Sequence, residues 1–241
     1  MVELMARAKL TLSLRITGTR ADGFHELDAV MATAIEPHDI VTIEPAARMS
    51  IEVGGPFARG VPADASNLAW RAAEACGAVL AIRIHKGIPP GAGLGGGSAD
   101  AAAVLTALGG DAAIGARLGA DVPFCMLRGA ARVRGIGELL EPVSMAPRPI
   151  VIVTPRFACA TADVYRVWDE LGGPHAEPND LEPAAFRLEP RLAEFKAALE
   201  AAAGAPATLA GSGSSFWVPG DDANRLRDRI DGWSWSTTVP S

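Results

Sequence analysis

The chain has 241 residues, 49% of them apolar, and a formal net charge of -6 at pH 7. That length supports one large domain or two small ones around a proper core, and the acidic balance offers neither a basic face for a nucleic acid nor a polybasic patch for a membrane. Any anionic ligand must therefore be held locally.

Leu10, Leu12, Leu14 and Ile16 alternate with polar partners, so Lys9 to Ile16 reads as a half-buried strand. Ile40 to Glu44 and Met49 to Val53 read the same way, with Pro45-Ala46-Ala47-Arg48 as a hairpin connection between them. Asn67 to Leu80 predicts a helix capped by Ser66 or Asn67, and Ala81 to His85 predicts a strand. That strand leads into Pro89 to Asp100, where five glycines fall within the seven residues 91–97, ahead of the helix-forming run Ala101 to Leu108. Bare backbone followed by a helix N-terminus makes an anion cradle, because nothing shields the N–H groups and the helix dipole favours negative charge there.

After Gly119-Ala120-Asp121-Val122-Pro123, the apolar run Phe124 to Val133 is a strand candidate. A second region begins beyond Pro147 with a strand at Pro149 to Val153 and helices at Thr161 to Leu171 and Glu189 to Ala203. It continues with a strand at Ala207 to Ala210, a turn at Gly211-Ser212-Gly213, a strand at Ser215 to Val218, a helix at Asp221 to Ile230 and a last strand from Trp233. The order predicts an α+β protein of two units, 1–147 and 148–241, the second a small α+β sandwich.

Cys76, Cys125 and Cys159 are odd in number and far apart, which suits reduced thiols. His25, His38, His85 and His175 never fall at ligand spacing, so no structural metal is expected. Apolar runs break well before the ~18 residues of a membrane span, and Met1 to Lys9 lacks the pattern of a signal peptide, so a cytoplasmic protein is expected. With 19 arginines and only three lysines, Lys9, Lys86 and Lys196 stand out, since ammonium and guanidinium are not interchangeable at a phosphate. Lys196, on the amphipathic stretch Arg191 to Ala203, reads as part of a solvated helix face.

Several phosphate-binding loops use such glycines. A Walker A loop needs a Lys after its last glycine, and none follows here. Gly91, Gly93 and Gly96 match the dinucleotide spelling, but Pro89-Pro90 intervene before the turn and no acidic residue ends a strand about 20 residues on. Other blocks agree on a third answer. The loop, the opening Ala8 to Leu14, Arg20-Ala21-Asp22-Gly23-Phe24-His25-Glu26-Leu27, Leu118 to Phe124, Gly135-Ile136-Gly137-Glu138, Asn179 to Glu182 and Gly211 to Ser214 together resemble the GHMP kinases, in their order and over most of the chain.

The resemblance implies a two-domain fold, an N-terminal mixed α/β domain like domain 2 of ribosomal protein S5 and a smaller ferredoxin-like domain. The Asp-Gly-Phe-His block resembles the branch that uses ATP and Mg2+ to phosphorylate the 2-hydroxyl of a cytidine-diphosphate-linked methylerythritol, in the non-mevalonate route to isoprenoids. It also implies a monomer or weak homodimer with no nucleic acid or membrane partner. Carried over residue by residue, Lys9 and Asp121 become catalytic, Asp121 as general base on the acceptor hydroxyl and Lys9 offsetting charge on the transferred group. Asn67, Lys86, Pro89, Pro90, Gly91, Ala92, Gly93, Leu94, Gly95, Gly96, Gly97, Ser98 and Ala99 become the nucleotide site, with Ser98 facing Mg2+. Thr11, Phe24, His25, Thr161 and Tyr165 become the acceptor site, with rings sandwiching cytosine.

Plainer roles stay open for many of these residues: a turn cap for Asp121, an exposed strand position for Lys9, a helix cap for Ser98 and Asn67, and core positions for Phe24 and Tyr165. The chain also departs from the family pattern. Thr11 stands where an Asn is usual, Phe24 replaces a tyrosine, and the helices after Cys76 and between Leu108 and Leu118 are short. Another small alcohol as acceptor, or a catalytically weak nucleotide-binding paralogue, are the competing functions.

Overall fold

Alternating apolar residues make the opening of the chain a strand, and the computed structural model, which describes residues 1–240, extends it well beyond Lys9 to Ile16. Strand β1 spans Val2–Thr19 and turns back through Arg20 to Phe24 into β2, His25–Pro45, in one long antiparallel ribbon. The register slips between Arg7 and Lys9 and again between Thr11 and Ser13. Such bulges re-aim side chains, and these two bracket Lys9 and Thr11.

Six strands form the first sheet: β3 (Ser50–Gly54), β4 (Leu80–His85), β2, β5 (Ala130–Gly135) and β6 (Leu139–Pro142) in that order, with β1 on the other flank of β2. The hairpin expected between Ile40 to Glu44 and Met49 to Val53 does not form. Strand β4 lies between them, antiparallel to β2 and parallel to β3. The polar connection resembles a tight turn locally, but β4, with its apolar Leu80, Ile82 and Ile84 all buried, is the better partner for both strands.

Helix α1 spans Leu68–Ala75, with Asn67 as its cap accepting from Ala69 N–H. It stops short of the expected Leu80, since Gly77 turns the chain at φ +68° and Leu80 is already in β4. Helix α2, Gly96–Ala107, is buried along Ala99 to Leu105, and α1 and α2 pack together over the sheet. Its run of alanines lets the backbone approach its neighbours closely. Helices α3, Ala112–Leu118, and α4, Val122–Leu127, follow. The strand expected over Phe124 to Val133 is therefore half helix. Pro123 in the first turn favours the helix, and the chain becomes extended only past Gly129.

The second sheet comprises β7 (Arg148–Pro155), β8 (Thr208–Leu209), β9 (Phe216–Pro219) and β10 (Gly232–Val239) in the order β10-β7-β9-β8, all antiparallel. With helices α5 (Thr161–Glu170), α6 (Glu182–Leu188), α7 (Arg191–Ala203) and α8 (Ala223–Arg227), this is a ferredoxin-like layering. Helix α6 is absent from the sequence expectation because its seven residues complete barely two turns. It also changes the reading of Lys196, whose ammonium reaches Glu182 of α6 at 2.7 Å instead of standing in solvent.

The two sheets share one core, in which Leu14, Met31, Phe124 and Val133 meet Val151, Val164, Leu181 and Phe216. A polar weld reinforces it. Leu14 donates to Pro178 O at 2.9 Å and accepts from Asp180 N at 2.9 Å, while the buried Asp180 carboxylate accepts from Ile16 N at 2.8 Å and Ala176 N at 2.9 Å. Asp180→Ala strands these donors away from water and is expected to destabilise the fold by about 2–4 kcal/mol. Urea unfolding checks it, as a lower midpoint at unchanged slope.

Candidate active site

A cleft of about 1060 Å³ opens between the two sheets, bordered by the glycine loop, β1, the Phe24 turn, α5 and the Gly211 turn. The loop comes first because its shape decides the rest. Lys9 N–H donates to Leu94 O at 3.0 Å, Ser215 N–H to Ala92 O at 3.1 Å and Cys159 N–H to Gly91 O at 3.4 Å. Strand β1 thus holds the loop on one side, and the connections of the second sheet on the other.

At Gly93, φ is +77° and a Cβ would overlap Ala210 O and lie 2.8 Å from Gly213 O. At Gly95, φ is +69° and a Cβ would lie 2.7 Å from Lys9 Cγ. Gly95 is the residue that caps α2, in left-handed conformation and without a side-chain bond. Ser98 is therefore not the cap but the third residue of the helix. Within α2 the ladder begins with Ala99 N–H to Gly95 O at 2.9 Å, so the N–H groups of Gly96, Gly97 and Ser98 precede it and are oriented for an anion.

Lys9 is 7% exposed, which removes the reading as a surface strand lysine. Its ammonium meets Asp121 Oδ2 at 3.3 Å and donates to Thr11 Oγ1 at 3.4 Å. Asp121 precedes α4 but makes no side-chain cap bond, so its carboxylate is directed to Lys9 and to the cleft, with a third of the side chain exposed. The structure thus brings together the two residues expected to be catalytic, beside the start of α2.

At the other end, Gly23 turns the chain at φ +86° and leaves Phe24 57% exposed at the rim. Phe24 is not core. His25 stacks on Tyr165 with centroids 4.9 Å apart, meets Trp168 edge-on at 5.4 Å and bonds Asp169 Oδ1 through Nε2 at 2.8 Å. An open sandwich between Phe24 and Tyr165 is not formed, because His25 covers the Tyr165 ring. Burial, and behind it the Asp121 carboxylate, push the Tyr165 phenol above its usual pKa, so it is a neutral donor. Thr161 Oγ1 pairs with Ser212 Oγ at 2.9 Å, which joins α5 to the Gly211 turn. Asn179 holds that turn from behind, donating to Leu209 O at 3.0 Å and Gly211 O at 2.7 Å.

Asn67 and Lys86 also border the cleft, but their polar atoms are engaged within the protein. Asn67 donates to Pro62 O at 2.8 Å and accepts from Ala69 N–H at 2.9 Å. Lys86 lies between Asp39 and Asp100, with Asp100 Oδ2 at 2.6 Å. Burial works against the ammonium, yet the two acidic neighbours outweigh it and raise its pKa, while burial raises the Asp100 carboxyl against the pull of Lys86.

Asp169 and Ser212 border the cleft and Asp100 and Asp39 hold Lys86; the sequence singles out none of them as a site residue, although Asp100 and Ser212 lie within the glycine-loop and Gly211 to Ser214 blocks. Asp169 also carries a local signal, four residues after Tyr165 and so on the same face of α5.

Among the described residues no helix is long and apolar enough to cross a membrane. The profile of the GHMP kinases N terminal domain matches residues 67–129. A 4-diphosphocytidyl-2-C-methyl-D-erythritol kinase from Cereibacter sphaeroides (strain ATCC 17025) is 40% identical over 245 residues, covering 89% of this chain and 88% of its own. The protein of the same name from Paracoccus denitrificans (strain Pd 1222) is 36% identical over 250 residues, covering 94% and 91%. A crystal structure of 4-(cytidine 5'-diphospho)-2C-methyl-D-erythritol kinase superposes with a TM-score of 0.79 at 34% identity, with both chains covered fully. The mevalonate kinase of L. major shares the fold, with a TM-score of 0.69 at 14% identity over 100% of this chain and 97% of its own.

Gly93→Ala is expected to destabilise the protein by about 2–4 kcal/mol, through left-handed strain and overlap with the Gly211 turn. Gly97→Ala is the control, because its Cβ would meet only Leu68 Cδ1 at 3.8 Å in helical backbone. Thermal unfolding separates them, with a lowered midpoint for the first and an unchanged or raised one for the second.

Proposed function

The chain belongs to the GHMP kinase family, and from that premise we propose that it transfers the γ-phosphate of ATP to the 2-hydroxyl of 4-diphosphocytidyl-2-C-methyl-D-erythritol. Residues 1–147 form the ATP-binding and catalytic domain in this assignment and 148–241 the C-terminal domain. The observation that carries the proposal is the Lys9 to Asp121 ion pair at 3.3 Å beside the bare start of α2, in a cleft whose far end is lined by Phe24, His25 and Tyr165.

Phosphoryl transfer asks the protein for charge neutralisation and alignment more than for covalent chemistry. The N–H groups of Gly96, Gly97 and Ser98, at the start of α2 ahead of its hydrogen-bond ladder, receive the phosphates, with the glycine backbone from Gly91 to Gly95 beside them. Among the described residues no cluster of three or more His, Cys, Asp or Glu could fix a metal by itself. By the family resemblance the Ser98 hydroxyl is the group offered to Mg2+, which would neutralise phosphate charge when bound with ATP. Asp121 orients the acceptor hydroxyl and takes its proton as the bond to phosphorus forms; Lys9 faces the charge developing on the transferred group. A loose transition state keeps that proton until late, so orientation is a large part of what Asp121 supplies.

Thr11, Phe24, His25, Thr161 and Tyr165 surround the acceptor, with Phe24 offering the open aromatic face and His25 a ring fixed by Asp169. Asn67 and Lys86 stand behind the adenosine site, with their polar atoms held within the protein.

ADP release with a panel of alcohols tests the proposal. Turnover is expected with the cytidine-linked erythritol and only background ATP hydrolysis with mevalonate or homoserine. The opposite pattern assigns a different acceptor, and tight ATP binding without turnover on any alcohol assigns a non-catalytic role. Asp121→Asn is expected to lower kcat by about 10²–10⁴-fold with ATP affinity within about twofold, read by steady-state kinetics and titration calorimetry. An active Asp121→Asn enzyme would move the base elsewhere.

A further inference from the structure

The glycine loop begins and ends on one buried cluster. Strand β4 runs out at His85, and Lys86 follows at 2% exposure with its ammonium between two carboxylates. Asp39 comes from β2 and Asp100 from α2, at 0% and 1% exposure. The second oxygen of Asp39 accepts from Gly87 N–H at 2.6 Å and Ile88 N–H at 2.8 Å, the last two residues before Pro89. On the far side of the loop, a Cβ on Gly96 would lie 3.1 Å from Ile88 Cγ2 and 3.3 Å from Asp39 Oδ2. The two ends of the loop therefore converge on Asp39, one through its backbone and the other through Gly96 and the Lys86 to Asp100 link.

One cation and two carboxylates are poor material for stability alone. Well-packed apolar side chains of similar volume often make a more stable interior than a buried ion cluster. This cluster even leaves Asp100 Oδ1 buried without a hydrogen-bond partner. What the charges give is position, since each bond has a direction and joins a different element. The loop they close is rich in glycine, which has the most conformational freedom to lose. Fixing its ends beforehand lowers the ordering cost that a ligand must otherwise overcome.

We propose that Asp39 and Asp100 are positioning residues that, through Lys86, hold both ends of the loop in its phosphate-receiving shape, so that Lys86 acts on the loop and not on the nucleotide. The inference rests on the loop being the ATP cradle, as assigned above.

The test compares the unmodified enzyme with Asp39→Asn, which keeps the size and an acceptor for Gly87 and Ile88 but removes the negative charge from Lys86. Three readouts are taken: ATP affinity by calorimetry, KM for ATP and for the alcohol, and amide hydrogen exchange of residues 86–98 without ligand. In Asp39→Asn the ATP Kd and KM are expected to rise roughly tenfold, with the alcohol KM within about twofold and exchange faster across 86–98 only. If Asp39→Asn does not fold, Asp100→Asn replaces it with the same expectations. Failure of the unmodified enzyme to bind ATP overturns the kinase assignment itself. A folded variant with a lower melting temperature but unchanged ATP affinity and loop exchange reduces the cluster to a stability feature and overturns the inference. Lys86→Met that weakens ATP binding without faster loop exchange also overturns it, by placing the ammonium on the nucleotide.

Discussion

Backbone that is to touch phosphate must be bare, and bare backbone is floppy; the rest of this structure depends on how that conflict is resolved. Removing side chains from residues 91–97 opens the way for N–H groups but leaves the loop little to hold itself with. Its shape is instead imposed from outside. Strand β1 grips Leu94 through Lys9 N–H, and the second sheet's connections grip Ala92 and Gly91 through Ser215 and Cys159. Gly93 has no room for a side chain because the Gly211 turn occupies that space, so the same atoms that demand glycine also fix it. The second half of the chain thus helps fix the shape of the glycine loop.

The same grip places the charges. Lys9 gives its backbone N–H to the loop and its side chain to Asp121, so the loop and the Lys9–Asp121 pair are placed by one residue. Register shifts fall on either side of Lys9 and Thr11; Lys9 borders the cleft and Thr11 is buried beside it, holding the ammonium. In a protein of net charge -6, a polyanionic ligand gains nothing from the global field. Local donors carry it: the α2 N-terminus and Lys9, with Lys86 already committed to Asp39 and Asp100.

Chemistry that depends on residue type at fixed spacing was legible in the sequence, and chemistry that depends on tertiary partners was not. The glycine loop, the rare Lys9, the sharp Asp22-Gly23 turn and the α+β order all follow from local rules, though that turn exposes Phe24 and not His25, whose ring packs against Tyr165. So does Asn67 as a cap, whose bond to Ala69 N–H spans two residues. Asp39 reads as an ordinary polar break in a strand, because Lys86 is 47 residues away and nothing near Asp39 reveals it. Asp169 is less hidden: its partner His25 is 144 residues away, but its spacing of four from Tyr165 places it on the same helix face. The parallel pairing of β3 with β4 escaped because local alternation says which residues face inward but not which strand lies alongside. The helix at Val122–Leu127 escaped because a short apolar run looks alike in helix and strand until its neighbours choose.

Thr11 shows how far a departure in one position reaches. It stands where the family resemblance expects an asparagine, and a hydroxyl retains an acceptor while giving up both amide donors. The acceptor is used: Lys9 donates to Thr11 Oγ1 at 3.4 Å, on the same ammonium that meets Asp121 at 3.3 Å. In the proposed site Thr11 therefore serves the Lys9 ammonium through its oxygen, and what the family's amide would add falls on recognition of the alcohol, because the two tasks rest on different atoms of one side chain.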